Sequence, residues 1–300
     1  VPLAFHEDSR RIGETDLYVV TAGEGPPLLL LHGYPQTHLA WMLVAERLAD
    51  RFTVIVPDLP GYGRSRGPEP DPDHVAYSKR AMAETLRVFM AGLGHESFFL
   101  AGHDRGGRIA YRLALDHPAC VRRLAVVDIV PTSEVWAGMS ARTALATHHW
   151  MFLAQPAPLP ERMIATDPAL YIGFLLDRWA GRPDALDPVS RAAYIDQFRD
   201  PAVVAATCAD YRAGASVDWQ LDEADRVAGR RIRCPTTVIW GTGYLADKIG
   251  HSPMKVWRNW CEEVTETAIA CGHFVPEEAP EAVAGALRSF FLEDSGLPLA

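Results

Sequence analysis

The sequence predicts an α/β fold: a mostly parallel central sheet, flanked by helices and interrupted by an inserted helical lid. Three observations carry that reading. Short apolar, β-rich runs alternate with helix-period segments up to residue 130, the pattern of parallel strands joined by crossover helices. From Pro131 to Trp219 the strand signal gives way to Pro- and Trp-containing, helix-prone sequence. Alternation then resumes, so the lid interrupts the sheet instead of following it, with a core at 1–130 and 220–300 and a lid at 131–219.

In order, the expected strands are Leu17–Thr21, Pro27–His32, Thr53–Pro57, Phe98–Ala101 and Leu124–Ile129. A helix from Ser78 to Leu93 is closed by Gly94, a residue able to take the left-handed angles of a C-terminal cap. A second, from Arg105 to His117, stops before Pro118, whose ring disfavours helical geometry in the residue ahead of it. Beyond the lid come strands at Thr236–Trp240 and Val264–Ala270 and a final helix at Pro280–Leu292. There is no internal repeat or low-complexity tract.

The charge balance narrows the partners. The 300 residues hold 29 Lys+Arg against 38 Asp+Glu, a net charge of -9, opposite in sign to a nucleic-acid or anionic-membrane binder. A small anionic ligand must therefore meet a local cluster of positive charge. Cys120, Cys208, Cys234, Cys261 and Cys271 are odd in number and form no C-x-x-C pair, which suggests neither a disulfide framework nor a zinc site. The N-terminal VPLAFHEDSRR lacks an apolar signal core and no apolar run is long enough to span a bilayer, so the expected location is the cytoplasm.

The decisive motif is Gly102-His103-Asp104-Arg105-Gly106, between the apolar run Phe98-Phe99-Leu100-Ala101 and a helix. This is the strand-turn-helix setting of the nucleophile elbow of α/β-hydrolase folds, with Asp where Ser usually stands. Small flanking residues let strand and helix approach closely while the nucleophile takes a strained conformation. The residue type selects the chemistry, because a carboxylate can displace a leaving group from an sp³ carbon and become an alkyl ester. Water must then cleave that ester, which requires a base. His273, in Cys271-Gly272-His273-Phe274 after the last strand, stands where the order nucleophile, acid, histidine places it. The acid has two candidates, Asp128 at the end of a strand and Asp247 in the loop after Trp240; Asp128 is preferred because sites of open α/β sheets collect at strand C-termini. Such an acid holds the imidazole in one tautomer. No metal or organic cofactor is called for.

Leu31-His32-Gly33-Tyr34-Pro35 resembles the oxyanion loop of this fold, where a backbone N–H near Tyr34 joins that of Arg105. His32 and His103 read as hydrogen-bonded neighbours of the site, not as proton carriers.

His103-Asp104-Arg105-Gly106-Gly107-Arg108 resembles the fluoroacetate dehalogenase branch of the α/β hydrolases, and the similarity runs over nearly the whole length. That branch carries Arg immediately after the nucleophile, where haloalkane dehalogenases and epoxide hydrolases generally carry Trp, and a second Arg one helical turn later. Residues three apart share a helix face, so Arg105 and Arg108 can grip a substrate carboxylate together. The resemblance implies a hydrolytic dehalogenase for a 2-halocarboxylate such as fluoroacetate or chloroacetate, with halide received by His149, Trp150 and Tyr211; His148 competes with His149 for the place. It also implies that Trp179 stands near the substrate entrance and that the protein is a homodimer. The chain departs from the family pattern at Tyr34, where relatives often have Phe, and over Tyr244 to Met254. Two other functions compete: an epoxide hydrolase with the same Asp-His-Asp chemistry, and a ligand-binding protein built on a retired hydrolase.

Overall fold

The structure, a computed structural model, describes residues 4–292, the Asp247 side chain excepted. Its strands are β1 (His6–Ile12), β2 (Thr15–Ala22), β3 (Pro27–Leu31), β4 (Thr53–Pro57), β5 (Phe98–His103), β6 (Val121–Val127), β7 (Thr236–Gly241) and β8 (Val264–Ile269). They form one sheet in the order β1-β2-β4-β3-β5-β6-β7-β8. Pairing is antiparallel for β1 with β2 and β2 with β4, and parallel throughout the rest.

The parallel part is apolar on both faces because helices cover both. Leu29 and Leu31 enter one core with Leu100 and Val126, while Leu28 and Leu30 enter the other with Phe99 and Val127. That is the two-residue period of a strand, and each such buried side chain stabilises the fold by about 1.5–3 kcal/mol. The sequence analysis missed β1. His6–Ile12 is polar and exposed along nearly all its length, so no alternation marks it. It forms because Gly13, at φ +58°, and Glu14 turn the chain back so that Ile12 pairs with Thr15.

Before β6 lie α1 (Met42–Leu48), α2 (Lys79–Gly92) and α3 (Asp104–Asp116). Between β6 and β7 come α4 (Thr132–Ala137), α5 (Ala141–Ala146), α6 (His148–Leu153), α7 (Leu159–Thr166), α8 (Pro168–Trp179), α9 (Pro188–Asp196), α10 (Pro201–Gly214) and α11 (Val217–Val227). The last of these crosses the boundary expected at residue 219. Then follow α12 (Leu245–Ile249), α13 (Met254–Trp260), α14 (Val275–Glu278) and α15 (Pro280–Leu292). Among the described residues no helix is long and apolar enough to cross a membrane.

Helix α3 leaves β5 without an intervening loop, and this junction positions the site. Asp104 takes φ +46°. A Cβ on Gly102 would lie 2.4 Å from Gly106 O, and one on Gly106 would lie 2.4 Å from His32 O. Only glycine permits so close an approach of helix and strands.

Candidate active site

Asp104 stands at the elbow with its side chain almost buried. Tyr34 N–H donates to its Oδ1 at 2.9 Å, which leaves Oδ2 facing His273 Nε2 at 3.8 Å. Burial works against the Asp104 carboxylate, but electrostatic interaction with His273, His103, Arg108 and Arg105 outweighs it and holds the group below the usual carboxylate range. It is therefore an ionised, partly restrained nucleophile.

His273 Nδ1 lies 2.6 Å from Asp128 Oδ2, and Asp128 Oδ1 accepts from Gly241 N–H at 3.0 Å. Like Asp104, Asp128 takes a left-handed backbone, at φ +56°, directly after β6. Burial pushes the Asp128 carboxyl up to about 7 against the Gly241 N–H, so its ionised form depends on these two hydrogen bonds. Burial pushes the His273 imidazole down to about 3, with Asp104 opposing, so the ring is neutral at neutral pH. The Asp247 side chain lies outside the described residues. His103 and His32 are buried with both ring nitrogens engaged: His103 with Gln36 Oε1 at 3.1 Å and His273 O at 2.8 Å, His32 with Gly33 O and Leu59 N–H at 2.9 Å each. Burial lowers both to about 4.

The two arginines are less free than helix spacing alone implies. Arg105 Nε donates to Asp210 Oδ2 at 2.9 Å and its Nη2 to Asp210 O at 2.8 Å, with a further contact to Oδ1. Asp210 also pairs with Lys79 Nζ and accepts from Tyr62 O–H at 2.7 Å. Arg108 Nη1 donates to Val130 O at 3.0 Å and Thr132 Oγ1 at 3.2 Å. One buried nitrogen of each lacks a protein partner, Nη1 of Arg105 and Nε of Arg108. A buried donor without an acceptor costs about 1–3 kcal/mol, more when charged, which is a driving force for anion binding.

Helices above this floor bring down the remaining residues. Tyr211, on α10, has its ring 4.2 Å from the Arg105 guanidinium carbon, and Trp150, on α6, has its ring 4.5 Å from that of Arg108. His149 is buried, 4.5 Å from the Trp179 ring and 5.7 Å from Tyr211, and the Tyr34 ring lies 5.2 Å from Tyr211. His148 is only half-buried and turns toward Phe174, at 6.1 Å. Burial pushes the His149 imidazole well below its usual range, so it is neutral. His149 Nδ1 and Trp179 Nε1 are also buried without a protein partner. The nine other residues singled out from the sequence thus cluster around the Asp104 carboxylate and the groups that contact it. Among the described residues no group of three or more His, Cys, Asp or Glu is arranged to hold a metal ion, and all five cysteines are free.

The α/β hydrolase fold model matches residues 26–280. The chain belongs to the α/β-hydrolase family. This hydrolase is 42% identical to a fluoroacetate dehalogenase of Burkholderia sp over 93% of its own length and 91% of the relative's. It is 32% identical to a soluble epoxide hydrolase of Corynebacterium sp. (strain C12), over 92% and 93% of the two chains. The solved structure of an α/β hydrolase from Nostoc sp PCC 7120 superposes with a TM-score of 0.92 at 44% identity, covering 96% of this chain and 98% of that one. The resemblance drawn from the arginine-flanked elbow therefore extends along nearly the whole chain.

Three sets of residues around the hydrolase site were not singled out beforehand. Asp210, Lys79 and Tyr62 hold Arg105. Gln36 and Glu277 continue the hydrogen bond from His103, with Tyr194 O–H donating to Glu277 Oε1 at 3.0 Å. Tyr244 packs on His273, and Lys248 packs on Tyr244. Asp210 sits next to Tyr211 in the sequence, and a charged residue at the inward face of an apolar helix is the one local signal that marks it. Lys79 and Tyr62 carry none, because their burial depends on where α10 packs.

Proposed function

We propose that this hydrolase is a hydrolytic dehalogenase that converts a small 2-halocarboxylate, fluoroacetate or chloroacetate, into the 2-hydroxy acid and halide. The observation that carries the reading is the pairing of an ionised Asp104, one oxygen held and one open, with two buried arginines that each retain an unpartnered N–H. The similarity to the Burkholderia relative supports it.

In this reading the substrate carboxylate takes the spare donors of Arg105 and Arg108. Asp104 Oδ2 attacks the halogen-bearing carbon, forming a C–O bond as the carbon–halogen bond breaks and the halide leaves with the electron pair. Its departure falls toward His149, Trp150 and Tyr211, whose donors act mainly in the transition state. Water then attacks the Asp104 carbonyl carbon while His273 Nε2 takes its proton and Asp128 steadies the imidazolium. Tyr34 N–H, already on Oδ1, is positioned for the oxyanion, and Arg105 N–H is the expected second donor. The acyl C–O bond breaks, the 2-hydroxy acid leaves with a proton, and Asp104 returns as carboxylate.

The test is a trapped ester. His273→Ala incubated with chloroacetate should release one equivalent of halide and retain a carboxymethyl group on the peptide holding Asp104. Wild type turning over in heavy-oxygen water should build the label into the same side chain. An unmodified peptide in both experiments would reject the reading. The Corynebacterium epoxide hydrolase motivates a parallel incubation with neutral epoxides, where diol formation without halide release from haloacetates would favour that chemistry instead.

A further inference from the structure

The segment after β7, where the sequence leaves the family pattern, sets Tyr244 against His273 and Lys248 behind it. The turn is tied to the histidine's own loop: Thr242 N–H donates to Ile269 O at 2.9 Å and Gly243 N–H to Cys271 O at 3.0 Å. Tyr244 then lies nearly flat on the imidazole, with ring centroids 4.3 Å apart and planes 25° from parallel. Lys248, one turn on in α12, has its Nζ 3.4 Å from the Tyr244 ring centroid and in contact with the phenolic oxygen. Trp179 closes the group edge-on, 5.7 Å from the His273 ring and 5.5 Å from Lys248 Nζ.

We propose that Tyr244 and Lys248 are positioning residues for the ester-hydrolysis half of the reaction: the tyrosine ring seats the His273 imidazole while it takes the proton from water, and Lys248 holds that ring in place. The inference rests on the dehalogenase reading above.

The argument is one of degrees of freedom and of charge. The Asp128 bond fixes His273 Nδ1 but leaves the ring free to tilt about it, and the ring must keep Nε2 toward Asp104. His103 sits on the imidazole at 51°, too oblique to fix the plane alone, whereas a nearly parallel stack does. The stack also responds to the chemistry. When His273 becomes an imidazolium, the Tyr244 π face stabilises it, so this contact strengthens on the way to ester cleavage. Alkylation of Asp104 moves no proton to His273 and gains nothing from it. Lys248 opposes the new charge only in part, because burial pushes its ammonium down to about 7 against the pull of Asp128 and Asp104, so that it carries a fraction of a charge at neutral pH.

Single-turnover kinetics with chloroacetate separate the two halves, reading halide for alkylation and glycolate for hydrolysis. Tyr244→Ala should leave the halide burst within about twofold of wild type and slow hydrolysis roughly tenfold, so that ester accumulates. Tyr244→Phe keeps the stack and should recover hydrolysis to within about threefold. Lys248→Met should cost about threefold, and the Tyr244→Phe/Lys248→Met pair no more than the worse single change, since both remove one contact. Equal slowing of both steps in Tyr244→Ala, or hydrolysis at the wild-type rate, overturns the proposal. His273→Ala run alongside tells the two readings apart: if it traps ester while Tyr244→Ala behaves as wild type, only this inference falls, and if it traps none, both fall.

Discussion

Asp104, Asp128 and His273 stand just past the C-terminal ends of β5, β6 and β8, whereas His149, Trp150, Trp179 and Tyr211 hang from the helices between β6 and β7. The two groups are held by different forces. The floor is fixed through backbone: Asp104 and Asp128 at positive φ, Tyr34 N–H on one carboxylate and Gly241 N–H on the other. A non-glycine residue in that region stores strain of about 1–3 kcal/mol, which the packed sheet and α3 impose. The roof is fixed through side-chain faces, rings 4.5–6.2 Å apart resting on two guanidiniums. Backbone restraint sets reacting atoms to fractions of an ångström, while packed rings can shift, so the floor suits bond making and the roof suits recognition of what leaves.

The sharpest test of that contrast falls on the floor. Asp128→Asn keeps the shape but removes the acceptor for His273 Nδ1–H, and turnover should fall on the order of 10⁴-fold, with ester accumulating in a mass spectrum. A loss below tenfold would assign the acid's part to another residue.

Asp210→Asn tests the joint between the two groups, since α10 reaches down to hold Arg105. It leaves Arg105 and Lys79 buried with one anion fewer, and unfolding in urea should show a loss of about 3–5 kcal/mol together with a raised KM for haloacetates. Unchanged stability and KM would mean that Arg105 needs no such anchor. On the roof, His149→Ala removes a buried ring nitrogen and should cost about 2–3 kcal/mol in the barrier to fluoride release, measured as kcat/KM. The loss should be smaller for bromide, a weaker hydrogen-bond acceptor, and equal losses for all halides would break the assignment.

Acid should weaken the whole site. His273, His32, His103 and His149 are all lowered by burial, to about 3 for the first and about 4 for the next two. The unfolded chain therefore binds protons between about 6.5 and 4 that the folded chain refuses, and stability falls as pH falls through that window. Each imidazole contributes up to about 1.4 kcal/mol per pH unit. Asp128 and Glu277, raised to about 7, act in the opposite sense but are outnumbered. Urea titrations at pH 7, 5.5 and 4.5 check the sign. Least affected should be His148→Ala, within about twofold of wild-type turnover, because that ring faces Phe174 at the lid surface.

What the sequence determined by itself was whatever depends on near neighbours. Five-residue apolar runs such as Pro27–Leu31 specify strands, and Gly102 and Gly106 around Asp104 specify an elbow, because period and turn sterics act within a few residues. The arginine spacing likewise shows in the chain, since α3 puts residues three apart on one side. Tertiary structure decided between His149, which the resemblance favoured, and His148, adjacent on one helix, by turning the first ring inward and the other to Phe174. It brought Asp128, already preferred from its strand end, to His273, 145 positions away, and it alone set Lys79 beside Asp210, 131 away. The physical reason is that an ion pair or hydrogen bond forms between whatever groups packing delivers within about 3 Å. Where α10 and the loop after β7 come to rest is settled by apolar packing that no short segment encodes.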